Sequence, residues 1–309
     1  MIIKKILSVL CLGILACSAF AQEWPKELNI TYVKAPFNIQ NMVMKKHALL
    51  EKEFQKEGIK INWIPIKAGL NQVRGMAAGE IDMVAAMNTS TLLIANASGN
   101  RIVIVDGVAH PDETFAIMAK PEIKTVADLK GHQVVGPKGT VLHHLLTASL
   151  AKAGMNERDV KWVSMNLPAS LTTLIGGRAD AALLAAGGIL AAQKAGFHEL
   201  TRAKGVIETN LVLAARADFA QKYPEVVKRV AKVNREALQW AISNKQEALA
   251  LGAAEHNISM DDAQKLFEWS NFYSDLNERD RHALEVAQDF LLQQKMMSRP
   301  IDIDTLFMR

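Results

Sequence analysis

The chain has 309 residues, 50% of them apolar and 22% charged, with a formal net charge of +4. That length can hold two cores, and the balance, with no basic run or aromatic-interleaved stripe, excludes a nucleic-acid surface. Both cysteines, Cys11 and Cys17, fall within residues 1–21, which excludes disulfides, thiol catalysis and cysteine-ligated metal from the chain beyond them.

Residues 1–21 read as an export signal. Lys4 and Lys5 form a positive front, and Ile6 to Leu15 is an apolar run too short to span a bilayer. Ala19-Phe20-Ala21 is a small-x-small cleavage site before Gln22. Cleavage there predicts a soluble periplasmic protein; subtracting the two lysines from +4 leaves it near +2. The competing reading is acylation of Cys17, after Ile14-Leu15-Ala16, and a lipid anchor. No other apolar run reaches membrane length.

From Leu28 the pattern alternates strand and helix. Leu28–Val33, Ile59–Ile66, Ile81–Ala85 and the run within Arg101–Gly107 read as strands from their β-branched content and spacing. Asn41–Phe54, Asn71–Ala78 and a segment to about Ala97 read as the helices between them. Such an order predicts a mainly parallel sheet covered on both faces.

A second unit opens near Pro111, with a strand at Phe115–Ala119. The stretch Lys124–Met155 then organises the chain. Val134-Val135 is a short strand and Pro137-Lys138-Gly139-Thr140 a loop. Leu142, Leu145, Leu146, Ser149, Leu150 and Ala153 make one face of a helix that Gly154 ends. Thr140 can cap that helix, Gly139 lets a ligand approach the backbone, and the next free amides face the loop. Either this is an anion site or a plain strand-to-helix turn. Pro137 stands where a phosphate-binding loop needs lysine, so Gly131 and Gly136 do not mark a nucleotide site.

Strands at Val160–Met165 and Ala179–Leu184 follow, separated by a helix at Ala169–Gly176 and followed by the small-residue loop 185–188. Asn210–Ala214 reads as a returning strand. Beyond Pro224 the chain is helical at 224–243, 245–255, 260–269 and 278–296, with Ser259 and Asp262 as a cap for the third. "Ala78-Gly79-Glu80-Ile81-Asp82" and "Gly177-Arg178-Ala179-Asp180-Ala181" echo each other, which suggests two similar lobes facing across a cleft.

Together LNITYVKAPFN, AAGEIDMVAAMNTS, Lys124–Met155, GGRADAALL and LAARADFAQKYPEVV cover most of the chain beyond the signal. In that combination it resembles the solute-binding proteins of ABC importers, in the branch that takes nitrate, taurine and aliphatic sulfonates. The resemblance implies an α/β fold, a two-lobed type II periplasmic binding protein with a ligand cleft between lobes and a helical C-terminal part. The lobe limits expected are 22–110 with 208–309, and 111–207. Also implied are a trapped small organic anion (sulfonate, taurine, nitrate or carboxylate-like) and a membrane permease and ATPase as partners. Gly139 and Thr140 match the turn that holds the anion, while Pro36-Phe37-Asn38 and Asn88-Thr89 match loops that reach the ligand. The loop holding Gly187 carries small residues where members often place tryptophan.

Other residues complete the expected site. Lys67 and Lys138 are loop cations able to neutralise an anion, or are merely solvated. Asn38, Asn88 and Asn166 each follow a strand and can donate or form turns. Phe37 can stack on a ligand tail or pack, and Trp269, Phe272 and Tyr273 pack between late helices. His143 is placed to reach the ligand. His143 and His144 point about 100° apart on a helix and do not share a metal. No G-x-S-x-G or H-E-x-x-H motif occurs. The expectation is a monomeric binding protein without cofactor, metal or catalysis. The alternatives are a periplasmic ligand sensor and, since related folds include pyrimidine-synthesising proteins, a pyrimidine-precursor binder or enzyme.

Overall fold

The structure, a computed structural model, describes residues 23–66 and 69–308. The expected signal, its Cys17 alternative and Lys67 lie outside the described residues.

The first sheet begins with β1 (Glu27–Tyr32), α1 (Ile39–Lys46), α2 (Leu49–Glu53), β2 (Lys60–Pro65), α3 (Gly69–Ala77), β3 (Met83–Asn88), α4 (Thr89–Ala97) and β4 (Ile102–Ala109). The chain then builds the second sheet from β5 (Phe115–Ala119), β6 (Gln133–Gly136), α5 (Val141–Lys152), β7 (Lys161–Ser164), α6 (Leu167–Ile175), β8 (Ala181–Ala185), α7 (Gly187–Lys194) and β9 (His198–Arg202). It returns as β10 (Leu211–Arg216), followed by α8 (Ala217–Lys222), α9 (Pro224–Ser243), α10 (Lys245–His256), α11 (Met260–Ser270) and α12 (Glu278–Gln293). The strand orders are β2-β1-β3-β10-β4 and β7-β6-β8-β5-β9.

Both sheets are mixed, where the sequence pattern predicted mainly parallel ones. β10 runs antiparallel to β3 and β4, and β5 antiparallel to β8 and β9. The cause is where the chain crosses. Phe115 pairs with Ala185, the last residue of β8, and Leu211 pairs with Asn88 and Ala109, the last residues of β3 and β4. Each crossing therefore enters a sheet at the carboxyl ends of its parallel strands, and the entering strand can only run the other way.

Two further differences have local causes. The helix expected over Asn41–Phe54 is broken at Ala48, which takes a left-handed conformation with φ 50°. β9 has no signature in the sequence, because HELTR is half-buried throughout and carries no apolar alternation. By contrast β3, β5 and β8 are almost wholly buried, as interior strands with both faces covered must be. One face of the first sheet is covered by α1, α9 and α10, the other by α3, α4 and α12. In the second sheet α5 covers one face, and α6 and α7 the other.

Candidate functional site

At the carboxyl ends of the parallel strands, α1 follows β1 and α4 follows β3 in the first sheet, and α5 follows β6 and α7 follows β8 in the second; Ser90 of α4 and His144 of α5 meet there. α4 is capped by Asn88, whose Oδ1 accepts from the Ser90 and Thr91 amides. For α1, α5 and α7, no side chain makes a capping bond among the described residues. Thr140 is the N-cap residue of α5, but its hydroxyl donates to Pro137 O at 3.0 Å instead of capping the helix. At α7 the cap position is Ala186, which has no side-chain acceptor to offer. Free helix amides with no side-chain partner are ready donors, and the helix dipole favours negative charge there.

Two glycines keep those ends open. Gly139 sits at φ +70°, a conformation L side chains rarely adopt. Gly187 opens α7 and has nothing within 4 Å of where a Cβ would stand.

The first lobe's loop is built by amides. Asn38 donates from Nδ2 to Val33 O and Ala35 O, and Asn41 Oδ1 accepts from Val33 N at 2.6 Å. Gln40 Nε2 donates to Val108 O, tying α1 to the end of β4. The other polar atoms of Asn38, Gln40, Asn41 and Asn88 are enclosed without a protein partner. Sequence reasoning missed Gln40 and Asn41, although three amides within N-I-Q-N directly after a strand and loop are a legible signal.

The other expected residues scatter. Pro36 is buried beside Phe37, which is 0% exposed and stacks on His256 at 5.3 Å, so its ring belongs to the core. Thr89 is buried at the start of α4. Asn166 is exposed and caps α6 through Ala169 N. Lys138, Gly139 and His143 come together, on a side pocket of about 640 Å³ that also takes in Ile94, Glu157 and Met296. There His143 Nδ1 accepts from Gly139 N at 3.2 Å, its Nε2 pairs with Glu157, and the ring stacks on Trp162. Burial holds the His143 pKa below the usual value, against the pull of Glu157. Among the described residues no group of three or more His, Cys, Asp or Glu is placed to hold a metal.

The cleft is closed. Ser90 of α4 meets His144 of α5, and Ala186 and Leu190 join the apolar cluster that holds Val108, Leu211 and Leu266. Lys194 of α7 pairs with Asp262 of α11, and the Arg202 guanidinium lies 4.3 Å over Trp269. Across the two crossings, Asp112 accepts from both the amide and the hydroxyl of Thr209, and His110 bonds Asn210.

A family described as NMT1/THI5 like matches residues 53–248. The chain is 34% identical over 164 residues to the "Putative aliphatic sulfonates-binding protein" of Escherichia coli (strain K12), covering 51% of this chain and 50% of that one. It is 29% identical over 204 residues to the taurine-binding periplasmic protein of the same strain, covering 64% and 63%. The matched region thus spans about half to somewhat under two-thirds of these curated relatives. The alkanesulfonate-binding protein of Xanthomonas axonopodis pv. citri, solved bound to MOPS, shares the fold with a TM-score of 0.83 at 21% identity, over 92% of this chain and 98% of that one.

Proposed function

Because the chain belongs to the NMT1/THI5-like family, we propose that it captures a small organic anion between its two lobes and delivers it to an ABC permease and ATPase. The observation that carries this reading is the pair of uncapped helix starts, α5 at Gly139-Thr140 and α7 at Gly187, at the closing cleft. Relatives that bind sulfonates and taurine support the choice of anion class. The periplasmic placement of the taurine-binding relative supports the same for this chain, and no helix among the described residues is long and apolar enough to cross a membrane. The lobe division is taken as 22–110 with 208–309, and 111–207. The protein acts as a monomer that binds its solute without transforming it.

One helix end contributes about 0.3–1 kcal/mol toward an exposed anion. Micromolar binding needs about 8 kcal/mol, so the remainder comes from direct hydrogen bonds, burial of the tail and exclusion of water on closure. Thermal-shift screening of alkanesulfonates, taurine and small carboxylates tests the class. A compound at a hundred times its Kd stabilises by about 2.7 kcal/mol. Thr140→Asp and Gly187→Asp each place a carboxylate where the anion is expected, at helix positions that favour acidic residues. Each is expected to abolish the shift and leave the unliganded melting temperature nearly unchanged. Full binding in both variants, or a cation as the only ligand found, overturns the reading.

A further inference from the structure

The meeting of α4 with α5 joins the two lobes through a titratable ring. Ser90 Oγ lies 3.2 Å from His144 Nδ1, and the two residues are only 2% and 3% exposed. The same imidazole stacks on Phe290 of α12, with 4.7 Å between centroids. Ser90 and Phe290 belong to elements packed on the first sheet, and His144 to a helix on the second. One turn along, Thr147 reaches the Met296 sulfur at 3.9 Å. Separation of the lobes breaks all three contacts and gives the ring to water.

The closed position suits a neutral ring. From α4 it faces a hydroxyl, with no titratable side chain anywhere on that helix. From α12 it faces Phe290. His144 also lines a groove of about 750 Å³, whose charged residues are Lys152 of its own helix, Asp112, Lys204 and Glu208 of the crossings, and Arg279 of α12. Among the described residues no carboxylate is paired with the ring to stabilise an imidazolium, and His143 beside it on α5 adds a second imidazole.

We propose that His144 makes lobe closure proton-sensitive: the closed form requires its neutral ring, and protonation in mildly acid solution drives the lobes apart. Burial first, and His143 second, push the closed-form pKa down to about 4. A ring freed into water titrates at about 6.5. The closed form therefore binds fewer protons, and it loses ground as pH falls from about 6.5 to about 4, by about tenfold per pH unit.

The test needs no solute. In a chain with Cys11 and Cys17 replaced by serine, Lys56→Cys and Glu122→Cys accept a fluorophore pair, one in each lobe. Transfer efficiency is followed downward from pH 7.5 as far as far-ultraviolet circular dichroism stays unchanged. The expected result is a shift toward the longer distance below about pH 6. His144→Phe, which keeps a ring on Phe290 but cannot take a proton, is expected to remove the shift. Proton NMR of the His144 ring, assigned by its loss in that variant, is expected to show titration well below 6.5. The same pH response in His144→Phe, no response in the wild-type chain, or a His144 ring titrating near 6.5 overturns the proposal.

Discussion

Two small residues carry consequences out of proportion to their size. A methyl group at Gly252 of α10 would stand 2.2 Å from the Phe37 ring, which is fully enclosed and stacked on His256. Alanine normally gains about 1 kcal/mol over glycine inside a helix, but a collision with an immobile ring outweighs that gain. Gly252→Ala is expected to cost about 1–3 kcal/mol, read as a lower urea midpoint at unchanged m. Ala186 is the reverse case. It holds φ 47° and ψ −119° at the start of α7, kept there by its amide bond to Thr114 O and by its packing against the first lobe. A non-glycine residue in such a conformation stores about 1–3 kcal/mol. Ala186→Gly releases that strain at an entropic cost of about 0.5–1 kcal/mol. It is expected to raise the melting temperature of the unliganded protein, and an unchanged or lower value contradicts the strain.

At the scale of elements, Asp180 knits the second sheet together. It lies just before β8, pairs with Lys120 at the end of β5, accepts from Gln133 N at the start of β6, and lies 3.2 Å from His132. Burial works against its charge. The bonds from Lys120, the Gln133 amide and His132 outweigh that cost and hold the carboxyl at about 2. An unfolded aspartate titrates at about 3.9. The group's pKa is depressed in the fold, so its stabilisation is present above about pH 4 and is lost as pH falls through about 2. The partial exposure of the pair reduces its worth to about 1 kcal/mol. Chemical denaturation of wild type and Asp180→Asn should therefore show a constant gap from pH 7 to pH 4.5 that narrows toward pH 2. A gap that does not depend on pH would assign the loss to packing rather than to charge.

For the whole molecule the question is what holds the lobes closed. Lys194 pairs with Asp262 across the cleft, yet the lysine is 67% exposed, and an exposed ion pair contributes about 0–1 kcal/mol. Lys194→Ala is expected to leave the affinity for whichever screened anion binds within about fivefold. Closure rests instead on apolar contact at Ala186 and Leu190, on His144 and on the ligand. Without solute the lobes divide between closed and open forms, so small-angle X-ray scattering should show a further contraction when that anion is added to saturation, with the crossings at 110–114 and 203–210 absorbing the rotation. Identical profiles with and without it would count against a hinge of useful size.

The sequence by itself determined the class of fold and most of its elements, because strand and helix periods, glycine ends and the strand-loop-helix succession within Lys124–Met155 are local signals. It also placed the turn at Gly139-Thr140 and the returning strand near Asn210. The direction of β5 and β10 was decided only in three dimensions, by the edge at which each crossing enters its sheet. The same holds at the site. Phe37 reads equally well as a ligand platform or as core, and only its packing against Gly252 and His256, over two hundred residues away, makes it core. Thr140 has the chemistry of a cap, but its hydroxyl turns to Pro137 and leaves the helix amides free. His144 looked like one of an adjacent histidine pair, and its place between Ser90 and Phe290 exists only once α4 and α12 fold against α5. Local spacing states what a residue can do. Which of those options it takes depends on partners that the chain brings from far away, and their positions are set by packing, which no short window of sequence contains.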